Sequence, residues 1–170
     1  MDLKSIIRTI EDFPKPGVSY KDITPVLADP KALAYIVDSL AERYRGRVDA
    51  VAGIESRGFI FGAPIAYALG VGLSIVRKPG KLPFDKHSVS YELEYGSDSL
   101  EIHTDAMAAG DRVVLVDDLL ATGGTSKAAI ELIERVGATV IECAFIIELA
   151  FLDGRSRLEP TPLHALTAYE

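Results

Sequence analysis

Short, apolar, β-branched runs alternate with helix-period segments along most of this chain, and that alternation leaves few folds open. "VDAVAGI" (Val48 to Ile54), "VGLSIVRK", "RVVLVDD", "ATVIECAFIIEL" and "LHALTAY" read as strands. "DPKALAYIVDSLAERYRG", "FIFGAPIAYALG" and "SKAAIELIERVG" read as helices. The first carries Leu33, Ile36, Val37, Leu40 and Tyr44 at helical spacing, the last Ile130, Leu132, Ile133 and Val136, and Gly70 and Gly137 end the second and third. Strands that are apolar almost throughout are buried on both faces, and helices between them supply the cover. The expectation is an α/β domain with a central parallel sheet flanked by helices. The 170 residues are one domain's worth, 1–170, enough to bury roughly 70% of the unfolded surface without cross-links.

Two segments fall outside that alternation. "MDLKSIIRTIEDF" reads as a short amphipathic helix with Leu3, Ile6, Ile7 and Ile10 on one face, and its charges argue against a signal peptide. Residues 79–104 leave the pattern as a long excursion, of the kind that often serves as a lid or binding loop. Within it "SVSYELEY" alternates, with Val89, Tyr91, Leu93 and Tyr95 on one side. With "SLEIHTD" it predicts an antiparallel hairpin turning near "GSDS".

Charge and composition narrow the function. The net charge of −7 argues against a general nucleic-acid binder, which needs a basic face. The longest apolar run, Ala144 to Leu152, is too short for a bilayer. Cys143 stands alone, which excludes an internal disulfide, fits a reducing compartment and predicts a cytoplasmic protein. His87, His103 and His164 show no zinc-ligand spacing. Against the acidic trend, "RKPGKLPFDK" (Arg77 to Lys86) holds four cations and one anion. It reads as a solvated loop or as a patch for a small anionic ligand.

The chemistry concentrates in "VVLVDDLLATGGT", Val113 to Thr125. Asp117 and Asp118 repel each other, and Gly123 and Gly124 discard packing, so folding alone does not call for them. In an open parallel sheet, ligands bind beyond the carboxyl ends of the strands. There, small residues before a helix let backbone N–H groups approach an anion. Thr122, Thr125 and Ser126 add hydroxyls. Carboxylates beside a phosphate cradle suit hydroxyls or magnesium, and a phosphorylated sugar satisfies both halves. Neither the P-loop pattern nor the dinucleotide glycine fingerprint is present.

This motif resembles the ribose-phosphate signature of the type I phosphoribosyltransferases. "DFPKPGVSYKDITPVL" (Asp12 to Leu27), "GIESRGFIFG" (Gly53 to Gly62), "RKPGKLP" and "YELEYGSDSLEIH" extend the resemblance, toward the adenine-specific branch, over nearly the whole chain. It implies a parallel sheet with a small N-terminal hood over the base (within 1–30), and a mobile loop or hairpin at 79–104. It also implies a reaction: adenine and phosphoribosyl pyrophosphate give AMP and pyrophosphate, with magnesium arriving on the donor, in a homodimer. Alternatives are the same chemistry on another purine, or a non-catalytic sensor of phosphoribosyl pyrophosphate.

By the same resemblance, Asp117 and Asp118 hold the ribose hydroxyls, and Ala121, Thr122, Gly123, Gly124 and Thr125 hold the 5′-phosphate. Arg57, Arg77, Lys78 and Lys81 meet the pyrophosphate, with Arg57 also counted as catalytic. Tyr20 stacks on adenine, with Lys21 beside it and Leu119 on the base's other side. Glu94 and Tyr95 form the catalytic pair. Tyr20-Lys21 stands where the family pattern is often Phe-Arg; tyrosine stacks equally well, whereas lysine lacks arginine's fork.

Overall fold

The computed structural model describes residues 1–92 and 96–170. After a 3-10 turn at Leu3–Ser5 come β1 (Arg8–Ile10), β2 (Tyr20–Asp22), α1 (Thr24–Ala28) and α2 (Pro30–Tyr44). Next are β3 (Ala50–Ile54), α3 (Arg57–Leu69), β4 (Gly72–Val76), β5 (Lys86–Glu92) and β6 (Ser97–His103). The chain continues through β7 (Arg112–Leu120), α4 (Gly124–Val136) and β8 (Thr139–Leu149), a 3-10 turn, α5 (Gly154–Leu158) and β9 (Leu163–Tyr169).

Five strands form one parallel sheet in the order β4-β3-β7-β8-β9. Alternate residues of β7 enter opposite cores, as the strand period of two requires. Val114 and Val116 join Ile36, Leu40, Phe61 and Ile65 beneath α2 and α3. Val113 and Leu115 join Ala129, Ile130 and Ile133 of α4, on the other face. The α2 helix starts on an Asp29 side chain that accepts from the N–H groups of Lys31 and Ala32. Both α3 and α4 stop at left-handed glycines, Gly70 and Gly137.

The N-terminal helix does not form. Leu3 and Ile7 are buried as its apolar face requires, yet Arg8–Ile10 pairs antiparallel with Tyr20–Asp22, and Ile10 is exposed. A helix this short gains little on its own, so strand pairing through the β-branched Thr9 and Ile10 prevails. The hairpin forms as β5 and β6, but its register puts Ser97, Asp98 and Ser99 inside β6 rather than in the turn. Val89, Leu100 and Ile102 are buried against α4, so much of the excursion belongs to the core.

Two buried carboxylates on β8 are held by arginine forks. Glu142 accepts from Arg43 Nε and Nη2 at 2.7 Å each, tying α2 to the sheet. Glu148 accepts from Arg155 at 3.0 and 2.6 Å, fixing α5 over the strand end. Once fixed there, α5 meets the loop after β7. A Cβ on Gly154 would stand 2.1 Å from the Ala121 carbonyl oxygen, and one on Gly123 would stand 2.6 Å from that of Gly154.

Gly154→Ala should therefore displace the 121–124 loop or unfold the protein partly, at a cost of about 1–3 kcal/mol, typical of overpacking. Thermal melts should show the loss. Gly72→Ala, where a Cβ meets nothing within 4 Å, should melt like the parent.

Candidate active site

The sheet's connections reverse between β3 and β7. From β3 the chain runs through α3 out to the β4 edge, and from β7 it runs through α4, on the opposite face, to β8. Such a switch point opens a crevice at the carboxyl ends of the strands. Here β3 stays paired with β7 only up to Gly53 and Val116, while β7 continues beside β8 to Leu120. Asp117 onward thus lacks a neighbour on the β3 side, and a cleft of about 400 Å³ occupies that space. Arg57, Lys78, Asp117, Asp118, Leu119 and the whole run Ala121–Thr125 line it together.

Arg57 opens α3 and crosses to the carboxylates. Its Nε lies 3.0 Å from Asp118 Oδ2, and its Nη1 donates to the Tyr20 hydroxyl at 2.7 Å. One guanidinium therefore joins β2 of the N-terminal segment to the end of β7. Burial works against its charge, but Asp118, Tyr20 and Asp117 outweigh that and raise its pKa. Asp118 is 3% exposed, and its Oδ2, although ion-paired, has no hydrogen-bond donor among the described residues. Burial raises the pKa of both carboxyls, and the neighbouring Asp118 charge drives Asp117 well up, while Arg57 restrains Asp118. Buried acceptors that lack donors fit a ligand that brings hydroxyls.

Gly123 precedes α4 with φ of 81°, in the left-handed region where a side chain is strained. The first-turn N–H groups of α4 have no intrahelical acceptors, and the residues that carry them line the cleft. Thr125 Oγ1 bonds the Tyr91 hydroxyl at 3.3 Å, and that hydroxyl lies 3.4 Å from Asp98 Oδ2. Asp98 in turn accepts from Lys78 Nζ at 2.6 Å. A side-chain chain thus runs from the glycine loop to the basic loop across the far wall.

The basic loop is neutralised internally. Glu55 accepts from Lys81 Nζ, from Arg77 Nε at 3.3 Å and from the Lys78 N–H at 2.9 Å. Burial pushes the Glu55 pKa upward, but these contacts prevail and hold it below its ordinary value. Arg77 and Lys81 reach the cleft through Glu55 rather than lining it. Glu55, Tyr91 and Asp98 went unassigned in the sequence reading. Glu55 was legible as an acid preceding the Arg57 turn, whereas Tyr91 and Asp98 depend on the hairpin register.

Lys21 is engaged elsewhere. Its ammonium bonds Thr9 and Ser19 and lies 4.6 Å from the centre of the Tyr169 ring. The paired substitution of lysine for a fork-shaped side chain thus finds a role in joining β2 to β9. Glu94 and Tyr95 lie outside the described residues.

A family model for the phosphoribosyl transferase domain matches residues 19–163. An adenine phosphoribosyltransferase of a Synechococcus species is 58% identical over the full length of both chains. The chain belongs to the adenine phosphoribosyltransferase family. Among solved structures, the adenine phosphoribosyltransferase of Thermoanaerobacter pseudethanolicus is 54% identical, with a TM-score of 0.95 over 99% of this chain and 98% of that one. The Saccharomyces cerevisiae enzyme, solved with an imino-altritol bisphosphate and adenine, is 40% identical, with a TM-score of 0.93 over 97% of this chain and 96% of that one. The type I phosphoribosyltransferase fold expected for this family is the one described above.

Because burial and the Asp118 charge raise the folded pKa of Asp117 above its unfolded value, its contribution to stability falls as pH rises above about 4. Asp117→Asn removes that loss and still accepts the Asp118 N–H, now held at 2.8 Å. Its Tm should exceed the parent's by about 2–4 °C near neutral pH, with little difference near pH 4. Scanning calorimetry across that range checks both the sign and the trend.

Proposed function

We propose that this chain makes AMP and pyrophosphate from adenine and phosphoribosyl pyrophosphate in the cleft between β3 and β7. The observation that carries the reading is the convergence, on one crevice, of a carboxylate pair, a glycine-threonine loop opening a helix, and a set of cations. Family membership narrows the chemistry to phosphoribosyl transfer onto adenine.

The residue roles follow from what each group can accept or donate. Asp117 and Asp118 accept from the ribose hydroxyls. The N–H groups of Ala121–Thr125, with the positive end of α4, hold the 5′-phosphate. Tyr20 stacks on the base and Leu119 closes its other side. Arg57, Arg77, Lys78 and Lys81 meet the pyrophosphate. As the bond from C1′ to pyrophosphate breaks, negative charge concentrates on the leaving oxygen, and cations already in place lower that barrier. Adenine N9 attacks from the opposite side, so the anomeric centre inverts. The carboxylate of Glu94, with Tyr95 beside it, takes up the proton that the base releases.

In the free protein all four cations are paired, Arg57 with Asp118, Arg77 and Lys81 with Glu55, and Lys78 with Asp98. A cleft balanced in this way favours a polyanion that brings its own countercharge. Magnesium fits that requirement: it keeps several waters and takes one or two carboxylates together with phosphate oxygens. Asp117 and Asp118, whose Oδ2 pairs with Arg57 but accepts no hydrogen bond among the described residues, are the carboxylates that would hold it. When bound, the ion supplies positive charge to the pyrophosphate.

A homodimer is the proposed working form. The outer face of α3, with Ile60 and an 89% exposed Tyr67, offers an apolar surface for a second copy. Among the described residues no helix is long and apolar enough to cross a membrane, and the cytoplasm is the proposed location.

A panel of nucleobases with phosphoribosyl pyrophosphate and magnesium tests the reading. Adenine should exceed hypoxanthine, guanine and xanthine in kcat/KM by about 10⁴-fold or more, because a site built around the exocyclic amino group leaves polar groups unpaired against an oxo analogue. Comparable turnover of hypoxanthine would reassign the base, and binding without turnover would make the chain a sensor. A second experiment separates the cations. Arg57→Ala should lower kcat about a hundredfold, since Arg57 is anchored at two points. Lys81→Ala should mainly raise the donor KM, and less so at high salt, because its charge is exposed. Steady-state kinetics at two ionic strengths give both answers.

A further inference from the structure

The segment "LDGRSRL", Leu152 to Leu158, is built around the glycine-threonine loop, and one of its side chains has no structural partner. Leu158 is fully buried in the α4-side core. Arg155 is spent on Glu148, with its Nη1 also 3.4 Å from the Leu163 carbonyl. Gly154 allows backbone contact with Ala121. With those three positions fixed, Arg157 is delivered against the loop. A methyl on Gly123 would stand 3.4 Å from Arg157 Cβ, and one on Gly124 would stand 3.4 Å from Arg157 Nη1.

Arg157 differs from the other arginines around the cleft. Arg57 has Asp118, Arg77 has Glu55 and Arg155 has Glu148. Among the described residues no carboxylate or hydrogen-bond acceptor holds the Arg157 guanidinium. It lines, with Tyr91, Thr122, Gly124 and Lys127, a second groove of about 680 Å³ that shares the loop as a wall with the cleft. An unpaired fork of donors, fixed at its stem beside a phosphate-cradling loop, is placed to meet phosphate oxygens.

We propose that Arg157 is a further binding residue for the 5′-phosphate, closing the outer side of the loop formed by Ala121–Thr125. This rests on the reading of that loop as the 5′-phosphate site. Arg155 and Arg157 thereby divide two tasks: the first holds α5 to β8, and the second reaches the ligand. The contribution is to affinity for any ligand with a 5′-phosphate, not to the departure of pyrophosphate at the other end of the cleft.

The test compares AMP, which carries the 5′-phosphate, with pyrophosphate, which does not. Arg157→Gln should weaken AMP binding, measured by calorimetry, by about fivefold at low salt, in line with a solvent-exposed ion pair, and by less at high salt. The inhibition constant of pyrophosphate, which lacks the 5′-phosphate, should stay unchanged. Arg157→Lys should recover most of the AMP affinity. Arg45→Gln, which removes the same charge at the amino end of the strands, should change neither ligand. Unchanged AMP affinity in Arg157→Gln would overturn the proposal. Equal weakening of AMP and pyrophosphate would also overturn it, by reducing Arg157 to a general field effect. If the parent protein makes AMP normally, these results bear on Arg157 alone. A parent that binds no AMP would overturn the reading of the loop itself.

Discussion

The site depends on where the β3–β7 ladder stops. Parallel pairing holds the two strands together through Gly53 and Val116 and then ends, while β7 stays locked to β8 as far as Leu120. Continued pairing would have given Asp117 and Asp118 a backbone neighbour instead of a cleft. Because α3 and α4 leave toward opposite faces, each helix start stands at the same crevice, one bringing Arg57 and the other the glycine loop. The two cores beneath them supply the rigidity that keeps these pieces in register.

Charge at this crevice is organised in pairs. Asp118 with Arg57, Glu55 with Arg77 and Lys81, and Asp98 with Lys78 leave little net field in the free protein. Pairing keeps partly buried ions from standing uncompensated, which is costly. It also preorganises the donors, since each cation is already oriented by a fixed acid before any ligand arrives. Asp117 has no cation of its own at ion-pair distance among the described residues, and burial and the neighbouring Asp118 charge raise its pKa.

Much of this was legible in the sequence because the period of the apolar pattern and the placement of Gly70, Gly137 and the Asp-Asp pair are local signals. Each of the five sheet strands was found, and the carboxylates, the loop and Arg57 all converge. What escaped depended on long-range pairing. The β1–β2 ladder overrode the expected helical face on Leu3, Ile6, Ile7 and Ile10. The β5–β6 register decided that Tyr91 and Asp98, rather than chain neighbours, bridge Lys78 to Thr125. Gly154 carries no local signal in the sequence. Only its approach to Ala121 shows why no side chain fits.

Arg57 touches Tyr20 with one nitrogen and Asp118 with another. The residue proposed to stack on the base and the one proposed to hold the sugar therefore share a single side chain. Substitutions at 20 and 118 are separated by nearly a hundred residues of sequence, yet their effects will not add, since each alters the partner that the other relies on. Drift of this chain toward a different base would thus be felt at the sugar, and the two halves of the substrate must be adapted to together.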